Sequence, residues 1–185
     1  MRSAAGASDL PRDGLAEIAL VGRSNVGKSS LINALVRRRI ARTSAAPGKT
    51  RLANVYRVAH PVGPFYLVDL PGYGYARGGA GAEREFEELT AAYFGRDRQV
   101  GALLLVDARH PGLNSDVDAW SWLERTVARS AIVATKIDKL ARGERIRAMR
   151  QHESVFDRPV LPVSAETGEG LDDLWKLIAQ QLTPA

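Results

Sequence analysis

The chain has 185 residues, 26 Lys and Arg against 21 Asp and Glu, and a pI near 9.8; that length suits one domain with its own core, and the formal charge of +5 favours anionic partners, nucleic acid above all. Zero cysteines exclude disulfides, thiolate metal sites and cysteine nucleophiles, which suits a reducing cytoplasm. No apolar run approaches the ~20 residues a membrane span needs, and Met1 to Asp9 lacks the apolar centre of a signal peptide, so a cytoplasmic protein without a membrane partner is expected.

In chain order, residues 1–14 read as a loose tail and 15–185 as one domain. Short apolar, β-branched runs predict strands at Ile18 to Val21, Ala53 to Val58, Phe65 to Asp69, Ala102 to Asp107, Ala131 to Thr135 and Val160 to Val163. Helical patterns fall at Ser29 to Arg38, Ala82 to Phe94, Asn114 to Ala128, Gly143 to Glu153 and Leu171 to Gln181. Only Ala59 to Pro64 separates the second and third strands, too little for a crossover helix, so that pair is predicted antiparallel. The expectation is a doubly wound α/β domain with a six-stranded, mainly parallel sheet and one antiparallel edge, its ligand site at the carboxyl ends of the parallel strands.

The run Gly22-Arg23-Ser24-Asn25-Val26-Gly27-Lys28-Ser29-Ser30 lies between the first strand and the first helix and fits G-x-x-x-x-G-K-[ST]. Its glycines let backbone N–H groups turn toward the β- and γ-phosphates of a nucleotide, Lys28 adds a point charge, and the Ser29 hydroxyl is placed to ligate Mg²⁺. A glycine turn before an amphipathic helix is the bland alternative.

Four weaker motifs follow in order. Gly48-Lys49-Thr50-Arg51-Leu52 sits in a loop where the Thr50 hydroxyl is placed to complete the Mg²⁺ shell, and such a loop would be ordered by the γ-phosphate. Asp69-Leu70-Pro71-Gly72 ends an apolar strand, with Asp69 placed to hold Mg²⁺ through water and the Gly72 N–H to approach the γ-phosphate; an ordinary Asp-Pro-Gly turn reads the same alone. Thr135-Lys136-Ile137-Asp138 supplies a carboxylate for guanine N1–H and N2–H₂, a donor pair adenine lacks, although Asp138 also reads as a helix cap. Val163-Ser164-Ala165 places the Ala165 N–H toward guanine O6, and by itself is a good turn.

With these motifs in order the chain resembles the translation-factor class of P-loop GTPases. The strings Glu17 to Asn33, Pro47 to Arg51 and Asp69-Leu70-Pro71-Gly72-Tyr73-Gly74-Tyr75-Ala76 look like the EngB (YihA/YsxC) family of bacterial GTPases, from about Glu17 to the C-terminus. The resemblance implies a GTP-binding domain over 15–185 that hydrolyses GTP to GDP and phosphate. It implies a switch in large ribosomal subunit assembly, with rRNA as partner, needed for normal cell division and septation. A monomer without a DNA partner is expected. The alternative is a nucleotide-gated RNA or protein adaptor with negligible hydrolysis. A trafficking GTPase is disfavoured, since Leu182-Thr183-Pro184-Ala185 carries no lipidation signal.

Catalysis rests on Lys28, Asn25, Thr50 and Gly72. Many GTPases position the attacking water with Gln after the Asp-x-x-Gly glycine; Tyr73 stands there, so slow intrinsic turnover is expected. Asn25 is either a K⁺ ligand, as in related GTPases with Asn there, or a brace for the loop, and Arg23 is either a finger in cis or a ground-state contact. Tyr73 and Tyr75 read equally as RNA-stacking and as packing residues. Arg37-Arg38-Arg39 with Arg42, and Arg142, Arg145, Arg147 and Arg150, form basic faces for rRNA phosphates or solvated helix faces. His60, His110 and His152 lack metal-ligand spacing and are assigned to the surface, while Trp120, Trp122 and Trp175 are assigned to packing.

Overall fold

A strand buried on both faces must be apolar at every position, and β5 (Val100–Asp107) shows what that produces: Ala102, Leu104 and Val106 enter one core and Leu103 and Leu105 the other. The computed structural model describes residues 2–4, 9–41, 53–73, 90–96 and 100–183. Its other elements are β1 (Arg2–Ala4), β2 (Glu17–Gly22), α1 (Lys28–Val36), β3 (Ala53–Val58), β4 (Phe65–Asp69), α2 (Asn114–Thr126), β6 (Arg129–Thr135), α3 (Arg142–Phe156), β7 (Val160–Pro162) and α4 (Leu171–Leu182). Residues 90–94 are also helical, the end of the segment expected at Ala82 to Phe94, whose earlier part lies outside the described residues. Among the described residues no helix is long and apolar enough to cross a membrane.

Among the described residues, seven strands form one sheet in the order β1-β3-β4-β2-β5-β6-β7. Pairing is parallel from β4 through β2, β5 and β6 to β7, and β3 is antiparallel to β4 with Val55 opposite Val68. All six expected strands are present and the α/β fold is as predicted. The seventh, β1, pairs antiparallel with β3 through Arg2 opposite Val55 and takes the edge that β3 was expected to hold. Within the stretch read as a tail, Leu10 is 4% exposed in the core, and the Tyr66 hydroxyl donates to Asp13 at 2.8 Å. Polar residues around one leucine hide such an anchor from periodicity.

Alternation along β2 sends Ala19 and Val21 to the core that also holds Trp120 and Leu123 of α2 and Phe156 of α3; Ile18 and Leu20 go to the core beneath α1 and α4. Trp122 and Trp175 pack against these cores as expected, and Trp175 stacks on His60 with centroids 5.0 Å apart. His152 departs from its expected surface position. It is fully buried on α3 and stacked on Phe156, and burial lowers its pKa, favouring the neutral ring.

If Leu10 belongs to the core, Leu10→Ala lowers unfolding free energy by about 2–3 kcal/mol in urea titration with an unchanged m-value; an unchanged midpoint would mean the segment is detached.

Candidate functional site: a phosphate loop at the carboxyl edge of the sheet

Every parallel strand delivers a motif from its carboxyl end: Gly22 ends β2, Asp69 ends β4, Asp107 ends β5, Thr135 ends β6, and Val163 follows β7. The turn after β2 enters α1 through Asn25 at φ 63° and Gly27 at φ 112°, the latter a backbone angle that only glycine takes without strain. No side chain caps α1 and no acid sits in its first turn. Its first N–H groups, from Gly27 through Lys28, Ser29 and Ser30, and the positive end of its dipole are left for an anion, while the Val26 N–H donates to the Arg23 carbonyl at 3.2 Å and closes the turn.

Lys28 is 9% exposed, and its ammonium donates to the carbonyls of Gly22 at 2.9 Å and Arg23 at 3.3 Å, which folds the side chain back across the loop. Burial lowers its pKa, and the Asp69 charge opposes that shift. Asp69 is 5% exposed and burial pushes its pKa up to about 6 against the pull of Lys28. Asp69 Oδ1 is buried with no hydrogen-bond partner among the described residues. A carboxylate oxygen in that condition fits a hydrated divalent cation, with the half-buried Ser29 on the adjacent turn as companion ligand. Thr50, the third expected ligand, lies outside the described residues together with Gly48, Lys49, Arg51 and Leu52, as do Arg42 and Tyr75.

The Asp-x-x-Gly turn rests directly on the loop. Ser24 N–H donates to the Tyr73 carbonyl at 3.2 Å and its hydroxyl to that of Gly72 at 3.4 Å; Leu70 is buried beneath and Pro71 leads into the contact. A Cβ on Gly72 would stand 2.6 Å from Ser24 N, so no other residue permits this approach.

At the other end, the Thr135 hydroxyl lies 2.6 Å from the Val26 carbonyl and 3.0 Å from that of Val106, joining the loop to β5 and β6. Lys136 donates to the Asn25 carbonyl at 2.6 Å and to Asp107 at 3.0 Å. Burial alone would raise the Asp107 pKa, but hydrogen bonds from Arg109 and Lys136 outweigh it and hold the carboxyl well below its usual range. Ile137 is buried, leaving Asp138 at the rim. The Ser164 hydroxyl donates to Asp138 at 2.7 Å while accepting from the N–H groups of Glu166 and Thr167, and Lys139 lies 3.1 Å from the other carboxylate oxygen. These bonds outweigh desolvation and keep Asp138 ionised. Ala165 follows, half-buried. Thus the phosphate loop, the Asp-x-x-Gly turn and the two late motifs occupy one edge of the sheet.

Residues 17–136 match the sequence profile of a family described as 50S ribosome-binding GTPase. The probable GTP-binding protein EngB of Symbiobacterium thermophilum is 40% identical, covering 97% of this chain and 93% of its own. That of Chlorobaculum parvum is 45% identical, covering 89% of this chain and 86% of its own. The chain belongs to the EngB family. It is a GTP-binding P-loop GTPase. A solved EngB structure superposes with a TM-score of 0.69 at 23% identity, covering 90% of this chain and 98% of that one. Era in complex with MgGDPNP and part of 16S ribosomal RNA does so with a TM-score of 0.75 at 21% identity, covering 94% of this chain and 59% of that one. These two share the fold.

Several residues of this EngB site escaped sequence reading. Asp107 looked like the end of an apolar strand. Asp116 drew no sequence reading, yet it is buried and binds Arg23 and Tyr73. Asn33 accepts from the N–H groups of Ile40 and Ala41 and donates to the Ala41 carbonyl, fixing where the chain leaves α1 toward residue 42. Tyr73 takes its packing alternative: it lies against the core and its hydroxyl is bound by Asp116. The Arg23 guanidinium is turned to the same carboxylate, which makes it a brace.

Because the folded-state pKa of Asp107 is depressed, its contribution to stability is present at neutral pH and is lost as pH falls below about 4. Asp107→Asn therefore lowers the urea midpoint at pH 7, and the gap to the parent protein narrows by pH 3; a gap independent of pH would contradict this assignment.

Proposed function

We propose that this EngB GTPase is a Mg²⁺-dependent switch acting in the cytoplasm, as a monomer, on the precursor of the large ribosomal subunit, and that normal cell division and septation depend on it through that work. The observation that carries the reading is the orphaned Asp69 oxygen beside the desolvated Lys28, at the mouth of an uncapped helix. Ser29, Thr50 and Asp69 would hold Mg²⁺, which when bound offsets charge on the β- and γ-phosphates. Lys28 lies across the same phosphates, the Gly72 N–H meets the γ-phosphate, and Asp138, oriented by Ser164, reads guanine.

Intrinsic turnover is slow on this reading. Tyr73 replaces a water-orienting amide, and its hydroxyl is already committed to Asp116. Asn25 is exposed on the phosphate loop, and its side-chain amide has no hydrogen-bond partner among the described residues, which favours the K⁺ ligand over the brace. The rRNA partner is supported by the family description and by exposed Arg37, Arg38 and Arg39 after α1 and Arg142, Arg147 and Arg150 on α3. Arg145 is instead paired with Glu169.

Three measurements test these statements. Calorimetry in Mg²⁺ is expected to give GTP and GDP binding with ATP far weaker, and Asp138→Ala to weaken GTP about 100-fold or more while leaving ATP where it was; equal GTP and ATP affinities in the parent protein would end the guanine assignment. Hydrolysis is expected to run at least several-fold faster in K⁺ than in Na⁺, whereas equal rates return Asn25 to a bracing role. Particles of the large subunit are expected to co-sediment with the GTP form, lose it in GDP or high salt, and accelerate hydrolysis. Binding without acceleration would favour the adaptor.

A further inference from the structure

Asp116 has no part in gripping phosphate or reading guanine, yet it is among the most thoroughly buried charges near the site. Its side chain, in the first turn of α2, is 1% exposed. A carboxylate that merely complemented a helix dipole would remain in water; withdrawing it costs several kcal/mol unless donors replace the solvent. Two donors converge on one oxygen: Arg23 Nε at 3.1 Å and the Tyr73 hydroxyl at 2.9 Å. Asp116 Oδ2 stays buried without a hydrogen-bond partner among the described residues, and burial raises the Asp116 pKa in spite of both bonds. The carboxylate is therefore kept in a costly place to hold two particular partners.

Those partners come from two different segments of the site. Arg23 is the second residue of the phosphate loop, and Tyr73 directly follows the glycine of the Asp-x-x-Gly turn. Their backbones form a single parallel bridge, reinforced by the Ser24 N–H on the Tyr73 carbonyl. Among the described residues, the contacts that hold residues 72–73 against residues 23–24 include that bridge, the packing of Gly72 on Ser24 with the Ser24 hydroxyl on the Gly72 carbonyl, and the shared Asp116 oxygen. Of these, only the Asp116 oxygen comes from a third element.

We propose that Asp116 is a positioning residue that latches the Asp-x-x-Gly turn onto the phosphate loop and thereby sets how strongly Gly72 prefers a nucleotide carrying a γ-phosphate. The inference rests on the reading of Gly72 as the γ-phosphate contact. With the latch closed, the Gly72 N–H is held beside Ser24 before nucleotide arrives, and GTP need not order it. With the latch open, the turn is free relative to the loop and GTP must supply that ordering. GDP offers nothing to the Gly72 N–H, so its affinity is indifferent to the latch. The same bond fixes the side chain of Tyr73 inward, which removes it from the water path whatever nucleotide is bound.

The test is calorimetry of the full chain with GDP and with a non-hydrolysable GTP analogue, in Mg²⁺. Asp116→Ala and Tyr73→Phe are each expected to weaken the analogue about fivefold or more while GDP changes less than twofold. The double variant is expected to be no worse than the stronger single one, because both remove the same link. Equal weakening of both nucleotides means a purely structural role and overturns the proposal, as does an unchanged preference or a fully additive double variant. Tyr73→Phe removes only a hydroxyl and decides the matter should Asp116→Ala fail to fold. Gly72→Ala separates the two levels. If it abolishes the preference for the analogue while the latch variants keep it, the latch alone is wrong; if all three keep it, the Gly72 reading falls and the latch with it.

Discussion

Lys28 and Asp69 are both withdrawn from water at the carboxyl edge of the sheet, and neither completes the other. The ammonium spends two of its protons on carbonyls of its own loop, and the carboxylate keeps one oxygen without a hydrogen-bond partner among the described residues. In a folded protein such an arrangement is a cost, raising the pKa of the acid and lowering that of the base, and it persists because the rest of the fold holds it. On the proposed reading that cost is offset when a polyphosphate and its cation bind together, because a site that is electrostatically unfinished binds charge without first having to dismantle its own ion pair.

Keeping the site unfinished requires a stiff loop, and the phosphate loop is fastened along its whole length. Arg23 is tied to Asp116, Ser24 to Tyr73, Asn25 to Lys136 and Val26 to Thr135. Two of these anchors belong to the Thr135–Asp138 motif. Lys136 and Thr135 therefore tie the phosphate loop to the motif proposed to read guanine, and on that reading the purine and the phosphates would be met by one connected unit. Thr135 braces the loop through its hydroxyl, at the Val26 and Val106 carbonyls.

The fold was legible because its strands are long, apolar and separated by helical patterns, and the site because phosphate recognition depends on backbone spacing that glycines record in the sequence. Most of what escaped reading depends on a partner distant in the chain; Asn33, bonded to Ile40 and Ala41, is the exception. Arg2–Ala4 has no apolar alternation, so nothing local announces β1; its place is set by the free edge of β3. Asp107 and Asp116 are ordinary acids until folding brings Lys136 to one and Arg23 and Tyr73 to the other. Leu10 sits among polar residues, and only the closed core gives it meaning. Tyr73 read equally well as a stacking or a packing residue because an aromatic ring suits both, and the carboxylate that decides between them lies 43 residues away.

The position of Tyr73 bears on why a GTPase should work slowly. A glutamine there would place a flexible amide where water must be aligned, and each tenfold gain in rate would require about 1.4 kcal/mol of transition-state stabilisation. A tyrosine whose hydroxyl is held by a buried carboxylate contributes none of that, but it does contribute order, joining turn, loop and α2 through one oxygen. On the proposed reading the residue defines the state that precedes hydrolysis and does not accelerate it. On the same reading, acceleration comes from outside the chain, from a cation at Asn25 or from a bound particle, so that the bound GTP would be spent after the partner is engaged. That order of events is what a switch in an assembly sequence requires: recognition of the γ-phosphate has to be firm, and its removal has to wait.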